Sequence, residues 1–348
     1  MGLRLAPVDG SVGIRLFLGE ESSVIWIKEN DVAAVTENDL DVRRRLRSAT
    51  WRQRTNLFIF LGPAIVLIFL LYVVPVIVDI FISFTDMGRS LAINEFTTKQ
   101  YEKVFAGDKR LPQVIGLTFV YVFGTLAVFN VTFGLVLAIL TTAIPKTSGI
   151  FFRGVWLLPR MSPSVLYIFL WIWVIDPSEF GLLNQILTNL FGVVKPVDLM
   201  TNAPVMLIIF SNGFIGASMG MIIFTSAIRS IPEHLFHAAR VDGAGGLAIV
   251  RHVTLPALRW PISFITIYQT LSLTVSFEYI LLLTKGGPFF DTTVYALYIY
   301  GRAFENGQYA YGAALALFLI VIGIALALLG WKFFDMKKLL QVPRIEVQ

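Results

Sequence analysis

At 348 residues the chain is long enough for two or three soluble domains, yet only 15% of it is charged and 56% is hydrophobic, with a mean hydropathy of +0.74. That balance excludes a soluble globular enzyme and describes a chain whose main solvent is lipid. A formal charge of +5 does not mark a nucleic-acid binder, because Lys and Arg lie between apolar runs and no basic stripe alternates with stacking aromatics; zero Cys excludes disulfides, thiolate metal sites and thiol catalysis.

The first 41 residues hold eight acidic and three basic side chains, with a weakly alternating apolar stretch from Ile14 to Ile27. They read as a small cytoplasmic extension whose fold the pattern leaves open, and no cleaved signal peptide is expected in the first 50. Arg43, Arg44, Arg45, Arg47, Arg52 and Arg54 follow, directly before the first apolar run, where positive charge most strongly opposes translocation.

A helix rising about 1.5 Å per residue needs about 20 apolar residues to cross a ~30 Å hydrocarbon core. Six segments meet that test: 57–82, 113–141, 154–175, 203–228, 261–284 and 308–331. The expected fold is therefore all-α, a polytopic membrane protein with six transmembrane helices. Its expected parts are an extension over 1–56, a transmembrane domain over 57–335 with a cytoplasmic loop over 229–258, and a tail over 336–348. Pro63, Pro75, Pro159 and Pro163 should bend the segments that contain them. Nineteen Lys and Arg fall in the N-terminal segment, the second and fourth loops and the tail, against eight in the other loops, which places both termini in the cytoplasm. The opposite loops carry Asp176-Pro177, Gly286-Gly287-Pro288 and the Phe289-Phe290 pair, the composition of ordered turns suited to docking.

No G-x-x-x-x-G-K-[ST] string occurs, so ATP hydrolysis is not expected of this chain. His234, His237 and His252 all lie in the fourth loop; the first two have metal-compatible spacing, but no carboxylate or thiolate completes a site, and no Ser, His and carboxylate converge. The expectation is a protein without catalytic or metal-binding residues.

The fourth loop reads as two short helices around a hinge. Ser230 is placed to cap the first, Pro232 and Glu233 suit its first turn, and Gly243 suits its left-handed stop. The second should end before Pro256. Ala238 and Ala239 leave a low ridge flanked by Leu235 and Phe236, the surface of a partner-binding element; a helix lying on the membrane is the alternative.

The string Ala238-Ala239-x-x-Asp242-Gly243-Ala244, with Leu255-Pro256 after it, resembles the E-A-A-x-x-x-G loop of permease subunits in ATP-binding-cassette importers. Leu158-Pro159, Pro163-Ser164, Gly181 to Asn184, Thr284 to Pro288 and the Phe304 to Gly312 region are similar to the sugar-uptake branch, typified by the maltose and glycerol-phosphate permeases. His237 stands where that loop usually has Glu, and Val250 where it often has an aromatic residue.

The resemblance implies a carbohydrate importer of the cell membrane, with Glu233, His237, Ala238, Ala239, Asp242, Gly243 and Ala244 coupling it to an ATPase. It also implies a second permease subunit, two ATPase copies that hold ATP and Mg2+, and an extracytoplasmic solute-binding protein. Nucleic acid is not an expected partner, and this chain should hold no cofactor of its own. Position by position, the resemblance implies a sugar site at Arg160, Ser164, Asn212, Gly216, Met219, Ser272, Leu273 and Ser276. Polar groups inside hydrocarbon are costly and so point to function. Arg160, Ser164, Asn130, Asn212, Gln269, Ser272, Ser276 and Glu278 are such groups, with Asp79 near an interface. Arg160 is expected to pair with Glu278, to meet an anionic substrate or to snorkel. Glycines 213, 216 and 220 suit either close helix packing or clearance for substrate. Glycerol phosphate and other small solutes are alternative cargoes. An ion-coupled carrier is a weaker reading, because Glu278 is a lone midplane carboxylate.

Overall fold

The computed structural model describes residues 5–8, 11–18, 21–28, 59–193 and 195–333, and the chain divides into the units Met1–Ile77 and Val78–Gln348. The basic cluster from Arg43 to Arg54 and residues 336–348 of the tail lie outside the described residues. The acidic extension, left without a fold by its sequence pattern, contains an antiparallel sheet of order β1-β2-β3: β1 (Leu5–Val8), β2 (Ser11–Leu18) and β3 (Glu21–Lys28). The alternating stretch falls on β2 and β3, whose register sets Ile14 opposite Ile25 and Val12 opposite Ile27. The all-α description thus holds for the membrane part, and a small sheet precedes it.

Helix α1 (Ile59–Ser83) runs across the division and contains Pro63 and Pro75. A wide π turn over Phe69–Val73 precedes Pro75 and accommodates its missing N–H. The main helices after it are α2 (Leu111–Ala143), α3 (Lys146–Met161), α4 (Ser164–Val174), α5 (Leu182–Phe191) and α6 (Pro204–Arg229). They are followed by α7 (Glu233–Val241), α8 (Gly246–Ile249), α9 (Arg259–Val275), α10 (Glu278–Leu283), α11 (Tyr295–Tyr300) and α12 (Tyr309–Phe333).

Four of the six expected spans are continuous helices long and apolar enough to cross a membrane: α1, α2, α6 and α12. The segment over 154–175 is α3 and α4 meeting at 100°. Pro163 drives this break, since it pushes Ser162 out of the helical region to ψ 147°. The segment over 261–284 is also two helices, α9 and α10, parted at Ser276-Phe277, where Ser276 is extended at ψ 122° and no proline is present. Two spans are therefore interrupted: the first where its prolines were expected to bend it, the second where no break was expected.

Helix α6 is the core element. Ile208, Ala217, Met221 and Phe224 are buried along it. In lipid, apolar burial drives little association, so close backbone approach has to supply the packing. The glycines provide it. A Cβ at Gly213 would enter the Phe129 ring, and Cβ atoms at Gly216 and Gly220 would meet the Asn130 side chain and carbonyl. Gly134 of α2 reciprocates, 3.0 Å from the Ala217 carbonyl at the position a Cβ would take. Accordingly Gly220→Leu is expected to lower the thermal midpoint of the detergent-solubilised protein by the equivalent of about 1–3 kcal/mol. Gly323→Ala, at an open position on α12, should leave it within about 0.5 kcal/mol. Equal behaviour of the two variants in a melting assay would remove the packing role.

At the ends of α2 and α12 away from the 230–258 loop, Asp108 gathers a small network. Tyr298 and Tyr311 each donate to its Oδ2 at 2.5 Å, and Arg302 stands 3.7 Å away. Burial opposes ionisation of Asp108, but these donors outweigh it and hold the carboxyl below its ordinary value. Asn184 stitches the neighbouring loop: its amide donates to the Asp176 carbonyl at 3.1 Å and its oxygen accepts from the Val197 N–H at 2.8 Å.

Candidate functional site

Two arrangements stand out, one at each level of the bundle. The first is the loop after α6. Ser230 does not cap α7; its hydroxyl donates to the Ala227 carbonyl at 2.8 Å and so finishes α6, while Pro232, extended at ψ 132°, precedes α7. A residue just past a helix satisfies that helix's last carbonyls more readily than the first amides of the next, three residues on. Gly243 behaves as its position predicts, with φ +78°. The Gly243 N–H donates to the Arg240 carbonyl at 3.0 Å and the Ala244 N–H to the Ala239 carbonyl at 2.9 Å, the paired bonds of a Schellman stop. After α8 the helical path continues through a wide turn over Val250–Thr254 to Leu255–Ala257, so it passes Pro256 rather than ending before it. The wide turn changes the backbone spacing ahead of the ring, where a regular α-helix would clash.

The loop presents Glu233, His237, Ala238, Asp242 and Gly243 exposed, with Ala239 and Ala244 half-buried. A cleft of about 570 Å³ lies beside it, bordered by Glu233, Phe236, His237, Arg240, Ile249 and Val250. Both departures from the family pattern, His237 and Val250, thus border one cleft. Leu247 and Val241 are exposed apolar residues on the same element, at 84% and 87%.

The second arrangement surrounds the break at Ser276-Phe277. Asn212, buried on α6, donates to the Tyr121 hydroxyl of α2 and lies 3.4 Å from the Ser276 hydroxyl. Ser164, the first residue of α4, donates to Glu278, the first residue of α10. The two interrupted spans are therefore tied to each other at their breaks. Tyr167, one turn into α4, donates to the Ser211 carbonyl at 2.6 Å and packs its ring 6.0 Å from Tyr279. Proline-free breaks in membrane helices are tolerated where neighbouring groups re-satisfy the backbone, and such sites line cavities.

The structure separates the positions expected of a sugar site into groups. Asn212 and Ser276 meet directly, and Ser164 joins the same region through Glu278. Gly216 is closed against Asn130, and Leu273 is buried in the apolar core. Met219, two helical turns past Asn212, is half-buried against the apolar cluster that contains Phe224 and Ile265. Ser272 is exposed on α9, and Arg160 is exposed at the end of α3. The expected Arg160–Glu278 ion pair is absent among the described residues; the carboxylate instead accepts from Ser164, which starts the helix that follows Arg160 after the 100° bend.

Residues that the site reading passed over are Tyr121, Tyr167 and the aromatic cluster of Trp156, Trp171, Phe210 and Phe214. A cleft of about 420 Å³ opens at the bend between α3 and α4, lined by Pro159, Ser162, Tyr167, Trp171 and Phe214. Trp156 and Phe214 lie 4.6 Å apart, and Trp171 and Phe210 5.5 Å apart. The available signal was the density of aromatics after Ser164, but the apolar run absorbed it.

The chain is 30% identical over 287 residues to a probable ABC transporter permease of Pyrococcus horikoshii, covering 80% of this chain and 95% of that protein. It is 26% identical to the diacetylchitobiose uptake system permease NgcF of Streptomyces coelicolor over 82% of this chain and 84% of that protein. It is 32% identical to the maltose/maltodextrin permease MalF of Escherichia coli K12, over 69% of this chain and 49% of MalF. In fold it is similar to a chain of a bacterial ABC transporter involved in importing the acidic polysaccharide alginate, with TM-score 0.71, 22% identity and coverage of 84% and 98%. A family model spanning residues 106–331 takes in both the loop after α6 and the two interrupted spans. With its apolar helices, its glycine-stopped loop and that match, the chain belongs to the membrane proteins described as binding-protein-dependent transport system inner membrane components.

Proposed function

We propose that the chain is a permease subunit for carbohydrate import, with six membrane crossings, both termini in the cytoplasm and the 229–258 loop as the element a separate ATPase grips. The observation that carries this reading is the uncharged hydrogen-bonding set at the breaks. Tyr121, Asn212, Ser276 and Ser164 bring hydroxyls and an amide to the breaks, and Tyr167, bonded to the Ser211 carbonyl next to Asn212, lines an aromatic cleft; such groups recognise sugar hydroxyls and ring faces. Relatives named for diacetylchitobiose, galactooligosaccharide and maltodextrin uptake support it.

In this reading the division of labour is 1–56 extension, 57–335 permease and 336–348 tail. A second permease subunit, two ATPase copies that bind ATP and Mg2+, and an external solute-binding protein complete the machine. The chain itself does no covalent chemistry. ATP binding closes the ATPase pair, pulls the loop, and switches the helices between two packings. The experiment is reconstitution of the complex in vesicles with its binding protein, scoring ATPase stimulation across a ligand panel. Stimulation by neutral oligosaccharides is expected, and stimulation by no carbohydrate overturns the substrate class.

An anionic cargo is the second reading, favoured by one observation: Arg160 is exposed and unpaired with Glu278, beside the aromatic cleft. For a neutral substrate, Arg160→Gln should change half-saturation less than about threefold. A tenfold or greater loss confined to acidic oligosaccharides in the same assay establishes the anionic reading instead.

A further inference from the structure

On a helix, residues four apart form a continuous ridge that winds slowly around the axis. On α9 one such ridge runs through Trp260, Phe264, Tyr268 and Ser272 and reaches Ser276 at the break. Its three rings lie in nearly parallel planes: Trp260 is 5.7 Å from Phe264 at 12°, and Phe264 is 6.0 Å from Tyr268 at 11°. Four residues of helical rise amount to about 6 Å, so the rings are set out as the rungs of a ladder and not collapsed on one another. Trp260 and Tyr268 are 44% and 45% exposed, and Phe264 is half-buried. A belt of aromatics at the membrane surface accounts for Trp260 alone, because the other two rings lie one and two turns further along the span.

The hydroxyls of α9 divide into two kinds. Ser263, Thr266, Thr270 and Thr274 each donate to the carbonyl four residues earlier, at 2.6 to 2.8 Å, the usual way a hydroxyl is satisfied inside a membrane helix. Tyr268 and Ser272, both on the ridge, are exposed and their hydroxyls have no partner among the described residues. Free hydroxyls are costly against hydrocarbon, so this ridge is suited to water or to a ligand rich in hydroxyls. Its two ends are also distinct. At one, Ser276 lies 3.4 Å from the Asn212 amide. At the other, Trp260 borders a cleft of about 640 Å³ with Ile222, Ser226, Ile231 and Leu235, where α6 passes into α7. A pyranose carries a C–H face that packs on an aromatic ring and a rim of hydroxyls for polar partners. A row of such contacts holds a moving solute firmly enough to guide it and loosely enough to release it.

We propose that this ridge is a slide for sugar rings. A carbohydrate leaving the polar set at the breaks exchanges hydrogen bonds with Ser272 and Tyr268, packs its C–H faces in turn on Tyr268, Phe264 and Trp260, and is released into the cleft beside α7. The proposal rests on the carbohydrate-import reading. It extends the site from a holding point at the breaks to a path along the inner half of α9.

The test uses the assembled transporter with its binding protein in vesicles loaded with ATP, timing the uptake of tritiated maltotriose, diacetylchitobiose and galactotriose. Phe264→Leu combined with Tyr268→Leu keeps apolar bulk and removes two rungs. It is expected to lower the maximal uptake rate of the sugar that the wild type carries at least tenfold, with the half-saturating binding-protein concentration within threefold. Tyr268→Phe keeps the ring and should retain at least half of the wild-type rate. Because the chain has no Cys, Tyr268→Cys and Ser272→Cys each introduce a single thiol on the ridge. In nanodiscs a charged methanethiosulfonate should label both at least tenfold faster than Val321→Cys, an exposed apolar position on α12. Labelling no faster than at 321 overturns the proposal by placing the ridge against lipid or another subunit. Tyr268→Phe as impaired as the double leucine variant overturns it as well, since the ring would then not matter. Wild-type uptake of a sugar with no loss in the leucine variant removes the slide and leaves the import reading standing. A wild type that takes up none of the three defeats the carbohydrate reading, and the slide with it.

Discussion

Gly243→Val should insert and accumulate at the wild-type level, yet lose at least nine-tenths of its coupled transport. The residue holds φ +78° with nothing within 4 Å of where a Cβ would sit, so the effect is conformational and not a clash with a neighbour. A β-branched side chain in that region costs about 1–2 kcal/mol or more. The relaxation available is to abandon the two bonds that end α7, from Gly243 to Arg240 and from Ala244 to Ala239. The α7–α8 corner would then open, moving Glu233 and His237 relative to Val250 across their cleft. The rest of the fold does not depend on this corner, since the residues around it are exposed. Co-purification of the ATPase and uptake into vesicles measure the outcome. Gly243→Asn should restore most of the activity, because Asn tolerates the left-handed region. Normal uptake by the Val variant would refute the loop's role, and failure of the Asn variant would show that something other than backbone conformation is at stake.

Asn212→Ala is expected to reduce substrate-stimulated ATP hydrolysis about tenfold, equivalent to about 1.4 kcal/mol, while basal hydrolysis by the complex survives. The change removes the donor to Tyr121 and the contact with Ser276, so a fully buried tyrosine hydroxyl loses one of its partners; losing a buried hydrogen bond costs about 1–3 kcal/mol at most. Those numbers permit either a structural brace or a ligand group. Tyr121→Phe decides between them, for it removes the brace and leaves the amide free. If Asn212 touches substrate, Tyr121→Phe should keep half-saturation within about threefold although its melting midpoint falls. Matching losses in half-saturation for the two variants would reduce Asn212 to an interhelical tie.

The contrast between the two ends of the loop shows how far local chemistry can be read. Gly243 stops α7 because a left-handed corner admits glycine almost alone, a property of one residue that needs no neighbours. Ser230 was expected to cap α7, but a hydroxyl between two helices can serve either, and with Pro232 in extended backbone it serves α6. Pro163 announced a bend, though not one of 100°, and nothing in the residues around Ser276 announced the second break. In the extension, the alternation from Ile14 to Ile27 and the Asp9-Gly10 pair carried the available hairpin signal, and the strands follow it.

Composition alone determined that this is a lipid-solvated chain built of apolar helices, because no arrangement of 56% hydrophobic residues in such runs can be hidden from water within one soluble core. The family loop was equally legible, its alanines, aspartate and glycine being a contiguous string. What the tertiary structure decided was partnership. Glu278 turned from Arg160 to Ser164, Gly216 closed on Asn130, and Tyr121 arrived beside Asn212 from 91 residues away. The reason is that a polar group within a membrane bundle must find its hydrogen bond on another helix. Which helix comes within reach depends on bends and close approaches that are properties of the assembled bundle, not of any one segment.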